Sequence, residues 1–193
     1  MNFMMEKIVK IFILTILSLI CHLNALEKNG KYDYAKYIDE IVTIFSKEMR
    51  HRFGLICIGD GGRMPYDVEE ISVIFEARRR ATIEEARELE IKTTERLAEI
   101  VNAHTKIRPY LREYPFPPGR VEIQISFVNK QGSYYRDGSV AFTFQARNKL
   151  FYRERERETG DLKPLFDEPY EEAYKKVFQA SNMSEQHRHN AGL

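Results

Sequence analysis

Hydrophobic and polar positions along the chain follow two periods, one typical of helices and the other of strands. Apolar residues spaced three and four apart run over residues 34–49 and again over residues 82–108. Thr82 and Glu85 have the spacing of a capping box at the start of the second stretch, and Pro109 is expected to end or bend it. The pattern therefore predicts an N-terminal helix and a second, long helix.

Shorter apolar runs predict the strands. A buried strand is expected over residues 53–58, alternating strands over 71–77, 121–127 and 140–146, and an optional fifth strand over 150–153. Strands and helices in this order predict the α+β class. We expect a single domain, in which an antiparallel sheet of four to five strands carries the long helix and the N-terminal helix on one face.

The segments between and after these elements are more polar. Residues 129–138 are interpreted as a hairpin loop, because Gly132 and Asp137-Gly138 supply turn residues. A short helix is predicted over residues 169–178. The polar residues that follow it, 180–193, are predicted to be a disordered tail.

The first 25 residues have the pattern of a secretory signal peptide: a basic start, the apolar run Ile11–Cys21 and the small residue Ala25 at the expected cleavage site. The run is shorter than the roughly 20 apolar residues of a transmembrane helix. Two alternatives remain, an uncleaved membrane anchor over residues 8–23 and a lipoprotein attached through Cys21. The chain thus divides into a signal peptide over 1–25, an α+β domain over 26–179 and a tail over 180–193.

Composition and charge exclude several functional classes. Hydrophobic residues make up 43% and charged residues 31%, which is typical of globular domains. The net charge is +1, and removal of residues 1–25 leaves equal numbers of basic and acidic side chains. Bulk attraction to nucleic acid or to anionic membranes is therefore not expected. Cys57 is the only cysteine outside the signal peptide, so no intramolecular disulfide is predicted.

Several short motifs between residues 53 and 176 together resemble the sequence pattern of one protein family. They are Ala86-Arg87, Ile107-Arg108-Pro109-Tyr110-Leu111, Tyr114-Pro115-Phe116, Val121-Glu122-Ile123-Gln124-Ile125 and Tyr170-Glu171-Glu172-Ala173. In their residues and order they resemble an uncharacterised family of small exported proteins from intracellular bacteria. The resemblance implies an exported single domain and no known activity. Pro117-Pro118-Gly119 departs from the family, which is expected to have a polar residue before the strand.

Candidate catalytic and ligand-binding motifs are few. Gly59–Arg63 has glycines that could cradle an anion, but no helix and no Lys-Ser/Thr pair follows, so a connector between two strands is the favoured interpretation. His104, Cys57 and Glu69 are the residues from which a hydrolase site could be assembled. Each has a structural interpretation, and His104 and Cys57 lie among apolar positions. No catalytic residue, metal ligand or cofactor is therefore predicted.

Two segments predict a contact surface. Aromatic residues adjoin an arginine at the hairpin tip, and Arg and Glu alternate after the last apolar run. The predicted binding residues are Tyr134, Tyr135, Arg136, Arg153, Arg155 and Arg157. We expect an exported, non-enzymatic domain with a protein partner, no nucleic acid, and membrane contact only through residues 8–23 if these are not cleaved. The alternatives are a small exported hydrolase and membrane-anchored display of the same domain.

Overall fold

Six strands form one mixed sheet in chain order, and three helices accompany it, in a computed structural model that describes residues 34–179. The strands are β1 (Leu55–Arg63), β2 (Glu70–Ala77), β3 (Val121–Phe127), β4 (Phe142–Ala146), β5 (Lys149–Arg155) and β6 (Leu162–Pro169). The helices are α1 (Tyr34–Phe53), α2 (Ile83–Ala103) and α3 (residues 170–179). The predicted signal peptide and tail lie outside the described residues.

The α+β class is confirmed, but the prediction of an antiparallel sheet of four to five strands is wrong. The sheet has six strands, and β2 and β3 are parallel, with Ile71 opposite Val121 and Ala77 opposite Phe127. The helix α2 connects these two strands and returns the chain to the end of the sheet at which β2 begins. Parallel neighbouring strands need such a crossover connection. All other neighbouring strands are antiparallel.

One face of the sheet is covered by helices. Phe75 of β2 is opposite Ile125 of β3, which is in turn opposite Thr143 of β4, so these three side chains share that face. The ring of Phe45 in α1 lies 5.7 Å from that of Phe75. All four residues are fully buried, so the main core lies between this face and the helices.

The predicted N-terminal helix is confirmed as α1. Its buried stripe, which includes Ile38, Ile41, Phe45 and Met49, faces the core. Gly54 ends the helix with a φ of +67°, a backbone conformation that glycine adopts without steric cost, and its N–H donates to the carbonyl of Arg50. Within residues 34–179, no helix combines the length and the apolar character needed to cross a membrane.

The capping box predicted for the long helix is confirmed. The Thr82 hydroxyl accepts from the Glu85 backbone N–H, and the Glu85 carboxylate accepts from the Thr82 N–H. The helix ends at Ala103, however, and not at residue 108. The backbone N–H of His104 caps it, and Pro109 lies in a separate 3-10 turn, Arg108–Tyr110. Pro109 is therefore not the residue that ends α2.

The interpretation of Gly59–Gly62 as a connector is wrong, because these residues belong to the edge strand β1. The strand begins at Leu55, since Phe53 still belongs to α1, and it extends to Arg63 with an irregularity between Cys57 and Gly59. An edge strand tolerates glycines and a bulge because only one side pairs with a neighbour. The other edge strand, β6, was not predicted.

Candidate anion-binding pocket

A pocket of about 360 Å³ lies between the loop that joins β3 to β4 and the turn that joins β5 to β6. We call it the arginine pocket. Its lining residues are Ser133, Tyr134, Arg136, Arg155 and Gly160. Three of the six predicted binding residues, Tyr134, Arg136 and Arg155, are thus brought together, although the two arginines are separated by 18 intervening positions in the sequence.

Local hydrogen bonds within the β3–β4 loop position Tyr134. The side-chain oxygen of Asn129 accepts from the backbone N–H groups of Gln131 and Ser133 at 2.9 and 3.0 Å, as in an Asx turn. Tyr134 forms an isolated β-bridge with Val128, just after β3. Its hydroxyl lies 3.4 Å from the hydroxyl of Ser126. The ring is therefore held over the end of the sheet that also carries Arg155.

The opposite wall is the β5–β6 turn. The N–H of Gly160 donates to the carbonyl of Glu156, and the N–H of Glu156 donates to the carbonyl of Asp161. Gly160 has a φ of +76°, and a Cβ added there would lie 2.9 Å from an Nη atom of Arg136. Glycine at this position therefore allows the turn and the close approach of the guanidinium at once.

Arg155 is held in a fixed orientation inside this frame. Its Nη1 donates to the carbonyl of Gly160 at 2.7 Å, and its guanidinium carbon lies 4.5 Å from the ring centroid of Tyr134. Contact with the face of an aromatic ring is favourable for a cation. The Nε of Arg155 is buried and has no hydrogen-bond partner among the described residues. One strong donor of the guanidinium therefore remains unused.

The arginines at the pocket have no carboxylate partner, a property that they share within residues 34–179 with Arg50, Arg79, Arg108 and Arg147. Nine arginines of the described chain form ion pairs with carboxylates. They are Arg52, Arg63, Arg78, Arg80, Arg87, Arg96, Arg112, Arg120 and Arg153. Within residues 34–179, Arg136, Arg155 and Arg157 have no such partner. Arg157 donates instead to the backbone carbonyl of Arg136 at 3.3 Å.

Two acidic side chains near the pocket, those of Glu156 and Asp137, are bound to other groups. Glu156 accepts hydrogen bonds from Lys163 and Thr159, which lower the pKa of its carboxyl below the ordinary range. Asp137 accepts from the Ser139 hydroxyl at 2.7 Å and pairs with Arg80; the bond from Ser139 is the larger cause of its lowered pKa. Both acids therefore stay ionised and bound to other groups.

The remaining predicted binding residues do not line the pocket. Tyr135 lies under Arg80, whose guanidinium carbon is 4.6 Å from its ring centroid. Arg153 is paired with Asp167 at 2.5 Å and lies over the ring of Phe151. Arg157 is exposed next to the pocket through its bond to Arg136. The structure thus separates Arg153, an ion-paired side chain, from Arg155.

The residues named for a hydrolase site are dispersed. His104 ends α2, where its Nε2 lies 3.2 Å from a carboxylate oxygen of Glu40. Cys57 lies in β1 with its thiol 3.6 Å from the carbonyl of Gly59. Glu69 is bound by arginines at the start of β2. None of the three lines the arginine pocket or a smaller pocket of about 170 Å³ beside Glu70 and Glu122.

A buried polar cluster that joins α2, β5, β6 and α3 was not predicted from the sequence. Glu168 accepts hydrogen bonds from Arg87, Lys176 and Tyr152 at 2.5 to 2.7 Å. Burial opposes ionisation of Glu168, yet these bonds hold the pKa of its carboxyl below the ordinary value.

Glu90 is fully buried, and neither of its carboxylate oxygens has a hydrogen-bond partner within the described chain. Burial raises the pKa of this carboxyl well above its ordinary value, although the nearby Gln145 backbone favours the charged form. Burial of this kind favours the protonated, uncharged form of a carboxyl. We therefore interpret Glu90 as a core residue outside the candidate pocket.

Neither a cluster of metal-ligating side chains nor a similarity to known proteins assigns a function to the pocket. Within residues 34–179, no group of three or more His, Cys, Asp or Glu side chains is placed to hold a metal ion. No family model, curated protein or solved structure matches the chain. The resemblance carried by the short motifs therefore stays a prediction.

Proposed function

We propose that the chain is an exported, non-enzymatic domain that binds a protein partner through the arginine pocket and the adjoining side chains of Tyr135 and Arg157. Export rests on the signal-peptide pattern of residues 1–25, which precede the described part of the chain. The binding role rests on the geometry of the pocket. Neither depends on the resemblance noted in the sequence.

One observation carries the proposal. Tyr134, Arg136 and Arg155 come from two separate segments and line the same pocket, where the two guanidinium groups have no acidic partner in the described chain. A cation without an acidic partner at the wall of a pocket is available to an anionic ligand, and Arg155 is in addition held against the ring of Tyr134. The arrangement therefore favours a binding surface over ordinary loop packing.

The residue types favour a protein as the partner. Tyrosine and arginine are enriched among the residues that dominate protein interfaces, since they bury large areas and form several hydrogen bonds. A nucleic acid or an anionic membrane would need an extended basic surface. The balanced charge of the chain provides no such surface.

The dispersion of the candidate catalytic residues supports a role without catalysis. A hydrolase needs a nucleophile or activated water beside a base and a stabilising donor in one cleft. His104 contacts Glu40 and the ring of Tyr37, whereas Cys57 and Glu69 lie in or next to different strands. The hydrolase alternative therefore gains no support from these three residues.

Site-specific photocrosslinking in the producing cells tests the partner contact. A photoreactive phenylalanine derivative replaces Tyr135, and the same derivative at Tyr66, which is 75% exposed, serves as the matched control. We expect a discrete adduct from position 135 that disappears when Arg136→Glu is added. An adduct of equal yield from both positions, or one unaffected by Arg136→Glu, contradicts the proposed surface.

Mass spectrometry of the protein recovered from cells tests export separately. Cleavage after Ala25 gives a mature N-terminus at Leu26, in the envelope or the medium. Recovery of the full-length chain from the cytosol, with Met1 intact, contradicts the proposed export. Recovery of the full-length chain in membranes favours the anchored alternative.

A further inference from the structure

We infer that the arginine pocket binds the side-chain carboxylate of a single glutamate or aspartate in the protein partner. This inference rests on the proposed function and adds the chemical class of the ligand. It follows from the unpaired guanidinium groups, from the fixed orientation of Arg155 and from the charges that surround the pocket.

The unpaired guanidinium groups favour an oxyanion over a neutral ligand. Arg136 and Arg155 both line the pocket, and within the described residues neither has a carboxylate partner. The buried Nε of Arg155 has no acceptor there either. The charge of both side chains is therefore available to an anionic acceptor, and hydrogen bonds between two charged groups are stronger than those to neutral groups.

The fixed orientation of Arg155 suits a planar, two-oxygen group. The bond from Nη1 to Gly160 and the contact with the Tyr134 ring fix the guanidinium plane before a ligand arrives. A guanidinium is planar and can donate to both oxygens of a carboxylate, and Arg136 lines the same pocket as a second donor. Because Arg155 is already ordered, binding costs less side-chain entropy.

The surrounding charges favour a single carboxylate over a polyanion. Five acidic residues lie in the two segments that form the pocket: Asp137, Glu154, Glu156, Glu158 and Asp161. They balance the local basic residues, so attraction beyond the pocket itself is weak. A phosphorylated or otherwise multiply charged ligand would be repelled by these acids. A glutamate or aspartate side chain brings one negative charge and an apolar stem.

The test uses nuclear magnetic resonance of the purified protein, with the arginine Nε–H signals as the readout. The probe is an acetylated and amidated Gly-Glu-Gly peptide, and Gly-Gln-Gly is its matched neutral control. We expect the Glu peptide to shift the Arg155 signal in a saturable manner and the Gln peptide to leave it unchanged. Equal shifts with both peptides overturn the inference.

Two variants locate the binding. Arg136→Gln changes an exposed side chain with no described hydrogen bond from its guanidinium, and we expect it to weaken binding of the Glu peptide roughly tenfold or more. Arg50→Gln removes the same charge from the last turn of α1, the helix beside the opposite edge strand, and should leave the affinity unchanged. Equal losses in both variants overturn the inference, because the attraction would then be non-specific.

Inorganic phosphate is the third probe. Binding of phosphate at the Arg155 signal without binding of the Glu peptide overturns the choice of a carboxylate. Failure of the inference is distinguishable from failure of the proposed function. If the Glu peptide binds but the crosslink at position 135 is unaffected by Arg136→Glu, the proposed function fails and the pocket chemistry stands. If the crosslink at position 135 is lost in Arg136→Glu but the Glu peptide does not bind, the proposed function stands and the inference of a carboxylate ligand fails.

Discussion

Arg87 and Arg155 are both partly buried arginines, but the structure uses them in different ways. Arg87 donates to the carboxylate of Glu168 at 2.5 Å, and Lys176 and Tyr152 complete the set of donors around that acid. Arg155 donates to a backbone carbonyl and lies against an aromatic ring, with its Nε left without an acceptor. The first side chain is neutralised within the described fold, whereas the second is not.

The difference separates arginines that hold the fold together from arginines that are available to a partner. The cluster around Glu168 joins α2, β5, β6 and α3, so its loss disrupts contacts between four elements. The arginine pocket lies between a loop and a turn at one end of the sheet, where few core contacts depend on it. Five substitutions test whether these two groups of side chains have separate roles.

The largest effect is expected from Arg87→Ala. Removing one partner of a buried ion pair leaves the other charge poorly compensated, and we expect the free energy of unfolding to fall by about 3 kcal/mol. Urea denaturation followed by circular dichroism measures the loss. Arg155→Gln is the matched comparison, with an expected loss of about 1 kcal/mol or less. Equal losses would show that both arginines hold the fold.

Glu90→Gln is expected to change the pH dependence of stability. Because the pKa of Glu90 is raised in the folded protein, the folded state retains a proton that the unfolded chain releases above the ordinary carboxyl range. Stability is therefore full below about pH 4.5 and falls as pH rises through the folded pKa, by at most about 1.4 kcal/mol per pH unit. The Gln variant should lack this decrease in urea titrations across the same pH range.

Glu168 is expected to act in the opposite pH direction. Its pKa is lowered in the folded protein by hydrogen bonds from Arg87, Lys176 and Tyr152, which outweigh the effect of burial. Its contribution to stability is present above the ordinary carboxyl pKa and is lost as pH falls through the folded value. Thermal unfolding at descending pH should show a smaller acid-dependent loss in Glu168→Gln than in the wild type. An unchanged acid dependence would contradict this assignment.

The smallest effect is expected from Arg136→Gln. Its guanidinium forms no hydrogen bond or ion pair within the described chain, so the free energy of unfolding should change by less than about 0.5 kcal/mol. Differential scanning calorimetry measures the change. A larger loss would place Arg136 among the residues that hold the fold.

Much of the fold could be predicted from periodicity, because α1, α2, β2 and β3 each bury one regular set of positions. The strand β6 could not, because it contains Pro164 and Pro169 and buries only Glu168. In β4, apolar Phe142 and Phe144 lie on the face away from the helices, and the polar residues Thr143 and Gln145 are buried. A hydrophobic pattern alone cannot predict that these polar side chains are the buried ones. Their burial depends on hydrogen-bond partners from other elements, such as Thr94 of α2, whose hydroxyl contacts the side-chain oxygen of Gln145.

The candidate site was predictable only in part. Residue types indicated Tyr134, Arg136 and Arg155, because aromatic and arginine residues adjoin in the loop and alternate charges follow in β5. They did not distinguish Arg153, which Asp167 neutralises, from Arg155. That distinction depends on the register between β5 and β6, which places Asp167 opposite Phe151. Gly160 was not predicted as a site residue, because its role depends on the conformation of the β5–β6 turn.

We propose that the arginines that bind a partner are separate from those that hold the fold. The most direct test of this separation measures the yield of the crosslink at position 135 in Arg136→Gln at a temperature where this variant and the wild type are equally folded. We expect the crosslink to be lost while the unfolding temperature is unchanged. A crosslink of wild-type yield in that fully folded variant would contradict it.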